Sequence, residues 1–110
     1  MDVRGHLDLL LLSVLGVAGP VHGYAVITAL RDRSQGAFDL PEGTVYPALQ
    51  RLERAGLVAS HWDETTRRKR RIYELTDGGR RAQVAKKQEW RGFVAGVQAV
   101  IGPVALRGLA

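Results

Sequence analysis

Arg67-Arg68-Lys69-Arg70-Arg71 places five cations in succession in a chain of 110 residues. Such a run repels itself, and folded domains tolerate it most readily where a polyanion neutralises it. Upstream, the segment from Pro41 to Gly56 interleaves Thr44, Tyr46, Pro47, Gln50, Arg51 and Arg54 with the apolar residues Val45, Leu49 and Leu52. Thr and Tyr hydroxyls suit phosphate oxygens, a Gln amide pairs with the edge of adenine, and Arg pairs with guanine or a phosphate. These groups suit recognition of a double-stranded DNA and include nothing catalytic. The candidate contacts are Thr44, Tyr46, Pro47, Gln50, Arg51 and Arg54, together with Arg67, Arg68, Lys69 and Arg70 of the basic run. A charged edge strand guarding against aggregation is the competing reading of that run. Its place beside a helix with a polar face favours the polyanion.

Other chemistries find little to work with. Ser13, Ser34 and Ser60 have no convincing base, and the acidic residues are scattered, so an enzyme is not expected. The absence of cysteine excludes disulfides and thiolate metal sites and permits a reducing, cytoplasmic setting. His6, His22 and His61 lack the spacing of metal ligands, and no cofactor is expected. Sixteen Lys and Arg against eleven Asp and Glu leave a net charge of +5, with most of the cations after Ser60. A localised excess favours an anionic partner over mere solubility.

The elements that must position these groups follow from periodicity. Val45, Leu49 and Leu52, with Leu57 just beyond, recur at three- and four-residue steps, so one side of a helix faces a core. Pro47 limits where that helix begins, because proline lacks an amide hydrogen and fits where first-turn donors have no intrahelical partner. A start near Gly43 or Thr44, with Thr44 as the cap, meets this condition. A start at Pro41, with Pro47 as a mild kink, meets it too. Either way the turns around Thr44 and Tyr46 point outward, at a helix end that attracts phosphate. Residues 57–62 and 70–75 read as two short strands, the second with Tyr73 and Leu75 on one face and Ile72 and Glu74 on the other. Asp63 to Lys69 is the turn between them.

Near the N-terminus, Arg4 and the apolar run from Leu9 to Gly19 imitate a secretory signal, but the run is too short to span a bilayer and no membrane partner is expected. Read as a helix, it buries Leu7, Leu10, Leu11, Val14, Leu15 and Ala18 on one stripe, while Leu9 and Leu12 fall off that face, towards another chain. Gly19-Pro20 ends it. Gly23 to Arg33 reads as a second helix with Tyr24, Ile27 and Leu30 inward, and His22 in front of it in a capping or orienting role. Phe38 and Leu40 are expected to anchor the following connection in the core.

After Leu75, Thr76-Asp77-Gly78-Gly79 reads as a cap and a turn, with a long helix from Arg80 to Ile101 and Pro103 as its stop. Its second half carries Trp90, Phe93, Val94, Val97, Val100 and Ile101 at helical steps. That stripe has no mate within so small a domain and is assigned to a second copy of the chain. Gly92 and Gly96 weaken the helix by roughly 1 kcal/mol each relative to alanine, yet allow a close crossing. The expected dimer contacts are Leu9, Leu12, Trp90, Phe93, Val94, Val97 and Ile101. The expected division is 1–76 for the DNA-binding part and 77–110 for the dimerisation helix and tail.

The motifs His22-Gly23-Tyr24, Gly43-Thr44-Val45-Tyr46-Pro47-Ala48-Leu49, Arg51-Leu52-Glu53, Gly56-Leu57 and Arg71-Ile72-Tyr73-Glu74-Leu75-Thr76 with Gly79 together resemble the PadR family of bacterial transcriptional regulators. They keep the family's order from about Leu7 to Trp90. The resemblance implies a mostly α fold with a small β-hairpin wing: a winged helix-turn-helix plus a C-terminal dimerisation helix, acting as a homodimeric repressor. It makes Gly43 to Arg54 the recognition helix and Trp62 to Arg71 the wing. One departure is Thr65-Thr66 at the wing tip, in place of the family's frequent glycine or proline. Some relatives that sense drugs stack planar ligands on a tryptophan near the position of Trp90, so a small-molecule effector and a purely structural role both stay open for it. A winged helix used only for protein interaction is the alternative function, one that would have no need of Arg67 to Arg71.

Overall fold

The computed structural model describes residues 6–102, so Arg4 and Pro103 lie outside the described residues. Helix α1 (Leu7–Ala18) leads through β1 (Val21–His22) into α2 (Gly23–Arg33) and α3 (Glu42–Arg54). The hairpin of β2 (Val58–Trp62) and β3 (Arg71–Leu75) follows, and α4 (Asp77–Ile101) closes the chain. The three strands form one antiparallel sheet in the order β1-β3-β2. At 25 residues α4 is about 37 Å long at the helical rise of about 1.5 Å per residue. It gives the molecule a long axis of 59 Å.

One core joins these elements. Val26, Ile27 and Leu30 of α2, Val45, Ala48, Leu49 and Leu52 of α3, Val58 of β2, and Tyr73 and Leu75 of β3 close around α1. Because α2, α3, α4 and β3 all pack on α1, Leu7, Leu11, Leu12, Val14 and Leu15 are buried on more than one side of it, while its last turn, Gly16 to Ala18, is exposed. A helix apolar all round is a buried helix. This corrects the expectation for Leu12: it has no exposed surface and fills this chain's own core, so it is not available to a partner. Leu9 keeps part of its surface, whereas Ala18, expected inside, is exposed.

Helix α2 has the expected bounds but a different inward face. Its buried residues are Gly23, Val26, Ile27 and Leu30, spaced three, four and seven apart, and Tyr24 lies well off that line at 60% exposed. Phe38 and Leu40 are half-buried at the edge of the core. Helix α3 starts between the two expected starts, Pro41 and Gly43 or Thr44: Glu42 is its first residue, and Pro41 precedes it in extended conformation as the N-cap. Thr44 therefore does not cap, and Pro47 lies inside the helix on the exposed side.

Helix α4 starts three residues earlier than the turn-like Thr76-Asp77-Gly78-Gly79 suggests. Thr76 is its N-cap, accepting a hydrogen bond from the Gly79 amide at 3.0 Å and donating one to the Gly56 carbonyl at 2.6 Å. Gly79 is buried against the backbone of Leu57, where a Cβ would collide with the Leu57 carbonyl oxygen. The glycine is thus a close-approach residue inside the helix, joining α4 to the end of α3.

Candidate nucleic-acid interface

Successive residues of a helix turn by about 100°, which sorts the outer residues of α3 into three bands. Gly43, Pro47, Gln50 and Arg54 form the outermost stripe and are all exposed. Thr44 and Arg51 lie on the flank towards α1, where they line a shallow cleft with Leu7. Glu42 and Tyr46 lie on the flank towards the wing. Gly43, not named among the candidate contacts, shares the outer stripe, and a Cβ there would meet nothing within 4 Å. Its signal in the sequence is its seven-residue spacing from Gln50.

Two of the expected contacts have partners within the chain. Arg51 forms an ion pair with Asp8 of α1 at 2.9 Å, which keeps its guanidinium charged and ties α3 to α1. The Tyr46 ring lies over Gly23, where any Cβ would overlap it, so His22-Gly23-Tyr24 and the motif containing Tyr46 are one packing unit. Burial first, and then Glu42, raise the Tyr46 pKa above its usual 10.0, so its hydroxyl stays protonated as a hydrogen-bond donor.

Across from Tyr46 rises the wing, the loop 63–70 between β2 and β3. Arg67, Arg68, Lys69 and Arg70 are exposed and have no acidic partner among the described residues. Arg71 differs. It stacks over Trp62 at 4.7 Å, donates to Ser60 Oγ at 2.9 Å and approaches Glu53 at 3.9 Å. Ser60 in turn donates to Glu53 at 2.7 Å, so this group braces the wing strands against the end of α3. Thr65-Thr66 needs no glycine, because the wing contains no positive φ; Gln35 is the sole non-glycine residue with one among the described residues. The Thr65 amide instead donates to Asp63 Oδ1 at 2.9 Å, and Thr66 Oγ1 donates to the Arg68 carbonyl at 2.9 Å.

The wing and the starts of α2 and α3 enclose a cleft of about 580 Å³. Tyr24, Tyr46 and Trp62 line it, with Arg68, Lys69 and Arg70 at its wing side. Cations with aromatic and hydroxyl groups between them suit a phosphodiester backbone. No group of His, Asp and Glu residues able to hold a metal occurs among the described residues.

At the far end of the molecule, Trp90 is half-buried, edge-on to His6 at 4.9 Å and stacked on Phe93 at 5.8 Å. Phe93, Val97, Val100 and Ile101 are exposed and, with Gly92 and Gly96, line an apolar groove of about 450 Å³. Val94 is half-buried.

A helix-turn-helix of α2 and α3 with a β2–β3 wing and a basic cleft beside α3 defines a winged-helix DNA-binding protein. The sequence matches the transcriptional regulator PadR-like family over residues 11–85, and the chain belongs to that family. Solved structures agree. A transcriptional regulator from Clostridium thermocellum is 29% identical, with a TM-score of 0.80 over 88% of this chain and 91% of that one. A PadR family transcriptional regulator from Eggerthella lenta is 34% identical, with a TM-score of 0.79 over 90% of this chain and 84% of that one. Bacillus subtilis PadR, solved in complex with operator DNA, shares the fold at 21% identity and a TM-score of 0.65, over 73% of this chain and 45% of that one.

Proposed function

We propose that this PadR-like regulator is a homodimeric repressor that binds an inverted-repeat operator. The observation that carries the reading is an open α3 stripe, Gly43, Pro47, Gln50 and Arg54, on the helix whose Glu42 and Tyr46 face Arg68, Lys69 and Arg70 across the cleft, these wing cations having no acidic partner among the described residues. In this reading Gln50 and Arg54 meet base edges in the major groove, Thr44 and Tyr46 meet phosphates, and Arg67 to Arg70 reach the flanking backbone or minor groove. The solved complex of Bacillus subtilis PadR with operator DNA supports the assignment at the level of the fold.

The exposed groove of Phe93, Val97, Val100 and Ile101 supports dimerisation through α4, with Trp90 stacked on Phe93 beside it; Leu9 and Val94 keep part of their surface and are assigned to the same contact. Two copies would set their α3 helices about one DNA turn, roughly 34 Å, apart. Repression follows from blocking polymerase on cytoplasmic DNA. A small-molecule effector would act through α4 by changing the angle between the two heads, which requires unequal affinity for the two states.

Sedimentation of the protein with a duplex containing an inverted repeat from its own upstream region tests this reading. Two protomers per duplex, with a dimer already present without DNA, is the expected result. A monomer, or binding indifferent to salt, would move the assignment to a protein-interaction module.

A further inference from the structure

His22 and Asp63 are 41 residues apart, yet His22 Nε2 lies 2.8 Å from Asp63 Oδ2. Asp63 is the wing's first residue and is only 9% exposed. Its other carboxylate oxygen accepts from the amide and the hydroxyl of Thr65. Its own amide donates to the Arg70 carbonyl at 2.7 Å, which closes the base of the loop. Between Asp63 and Arg70 the loop has no regular structure, and its further internal tie is Thr66 to Arg68. His22 is held in turn: it pairs with Ile72 through β1 and immediately precedes α2. It occupies the N-cap position of that helix, but its side chain makes no bond to the helix amides.

We propose that His22 is a positioning residue that clasps the wing to the start of α2, so that Arg67 to Arg70 are ordered over the cleft before DNA arrives. The inference rests on the DNA-binding reading of that cleft. Ordering a loop costs conformational entropy, and a loop already ordered does not incur that cost on binding. The clasp also explains the motif His22-Gly23-Tyr24: His22 holds the wing, Gly23 admits the Tyr46 ring, and Tyr24 faces the cleft. Asp63, deprived of His22, would keep only Thr65 as a side-chain partner.

The test compares wild type, His22→Ala and His22→Gln by amide hydrogen exchange in the free protein and by DNA affinity at several salt concentrations. In His22→Ala the Thr65 amide should exchange faster while core amides of α1 and α3 stay protected. Affinity should fall about tenfold, with the slope of log affinity against log salt unchanged, since the cations remain and only their ordering is lost. His22→Gln, which retains an N–H donor, should restore much of both. Unchanged Thr65 exchange in His22→Ala would overturn the clasp whether or not DNA binds. Faster exchange with unchanged affinity would overturn its role in binding, and a flatter slope would make His22 a direct phosphate contact instead. A wild-type protein without salt-sensitive binding would reject the DNA reading of the cleft and with it that role, leaving the exchange data to decide the clasp itself.

Discussion

Replacing Arg67, Arg68 and Lys69 together by alanine separates the two kinds of cation on the wing. These three are exposed and lack acidic partners among the described residues, so each is free to neutralise one phosphate. At about 0.9 per phosphate, their loss should flatten the slope of log affinity against log salt by about 2.7 per protomer. Between about 50 and 200 mM salt, wild type should then lose roughly 40-fold more affinity than the variant for each protomer bound, or roughly 1,800-fold more for the proposed dimer. Arg71→Ala is the contrast. Its guanidinium is committed to Trp62, Ser60 and Glu53, so its loss should change Trp62 fluorescence and thermal stability and leave the slope nearly intact. Fluorescence anisotropy with a labelled operator duplex over a salt series measures both. A triple variant with the wild-type slope would refute the assignment of the wing cations to phosphates.

Gln50→Ala should relax discrimination at one base pair by about 1 to 3 kcal/mol, measured by competition among single-base operator variants. Equal loss on operator and random DNA would make Gln50 a backbone contact. Phe93→Glu places a charge in the exposed apolar groove of α4 and should yield monomers in sedimentation equilibrium while leaving helix content unchanged. Gly79→Ala drives a Cβ onto the Leu57 carbonyl and should destabilise the fold by about 1 to 3 kcal/mol in thermal denaturation; a neutral result would mean that α4 shifts to accommodate it. The Asp63 carboxyl is held at about 2, below its usual 3.8, first by the Thr65 hydroxyl and amide and then by His22. A lowered folded-state pKa stabilises above the unfolded value, so wing protection should be complete above about pH 4 and fade as pH falls through about 2. Hydrogen exchange of the Thr65 amide against pH follows this, and loss of protection already at pH 6 would contradict it.

What the sequence disclosed, and what it withheld, follows the range of the interactions. The stripe Val45, Leu49, Leu52 and the alternation ending in Tyr73 and Leu75 are local patterns, and both are buried as expected. The bounds of α2 were legible for the same reason. Leu12 was misread because a periodic stripe assumes a helix with one buried side, whereas α1 is packed from several. The three-residue steps from Tyr24 to Ile27 and Leu30 point Tyr24 inward, although Gly23, Val26, Ile27 and Leu30 fit a helix face better. Gly78-Gly79 imitated a turn because glycine's usual local meaning hid its contact with Leu57. Strand β1 has two residues, too few for any alternation. The pairs Arg51–Asp8 and His22–Asp63 join residues about forty positions apart, and nothing near either partner announces the other. For the candidate interface, residue types were thus readable, but not which cations were already engaged.

The central claim is sequence-specific, salt-sensitive DNA binding by α3 and the wing. Fluorescence anisotropy of the purified protein with DNA from upstream of its own gene, against a scrambled duplex at two salt concentrations, tests it most directly. Tight binding that prefers the upstream duplex and weakens steeply with salt is the predicted result. Equally weak binding to both duplexes at low salt would contradict it.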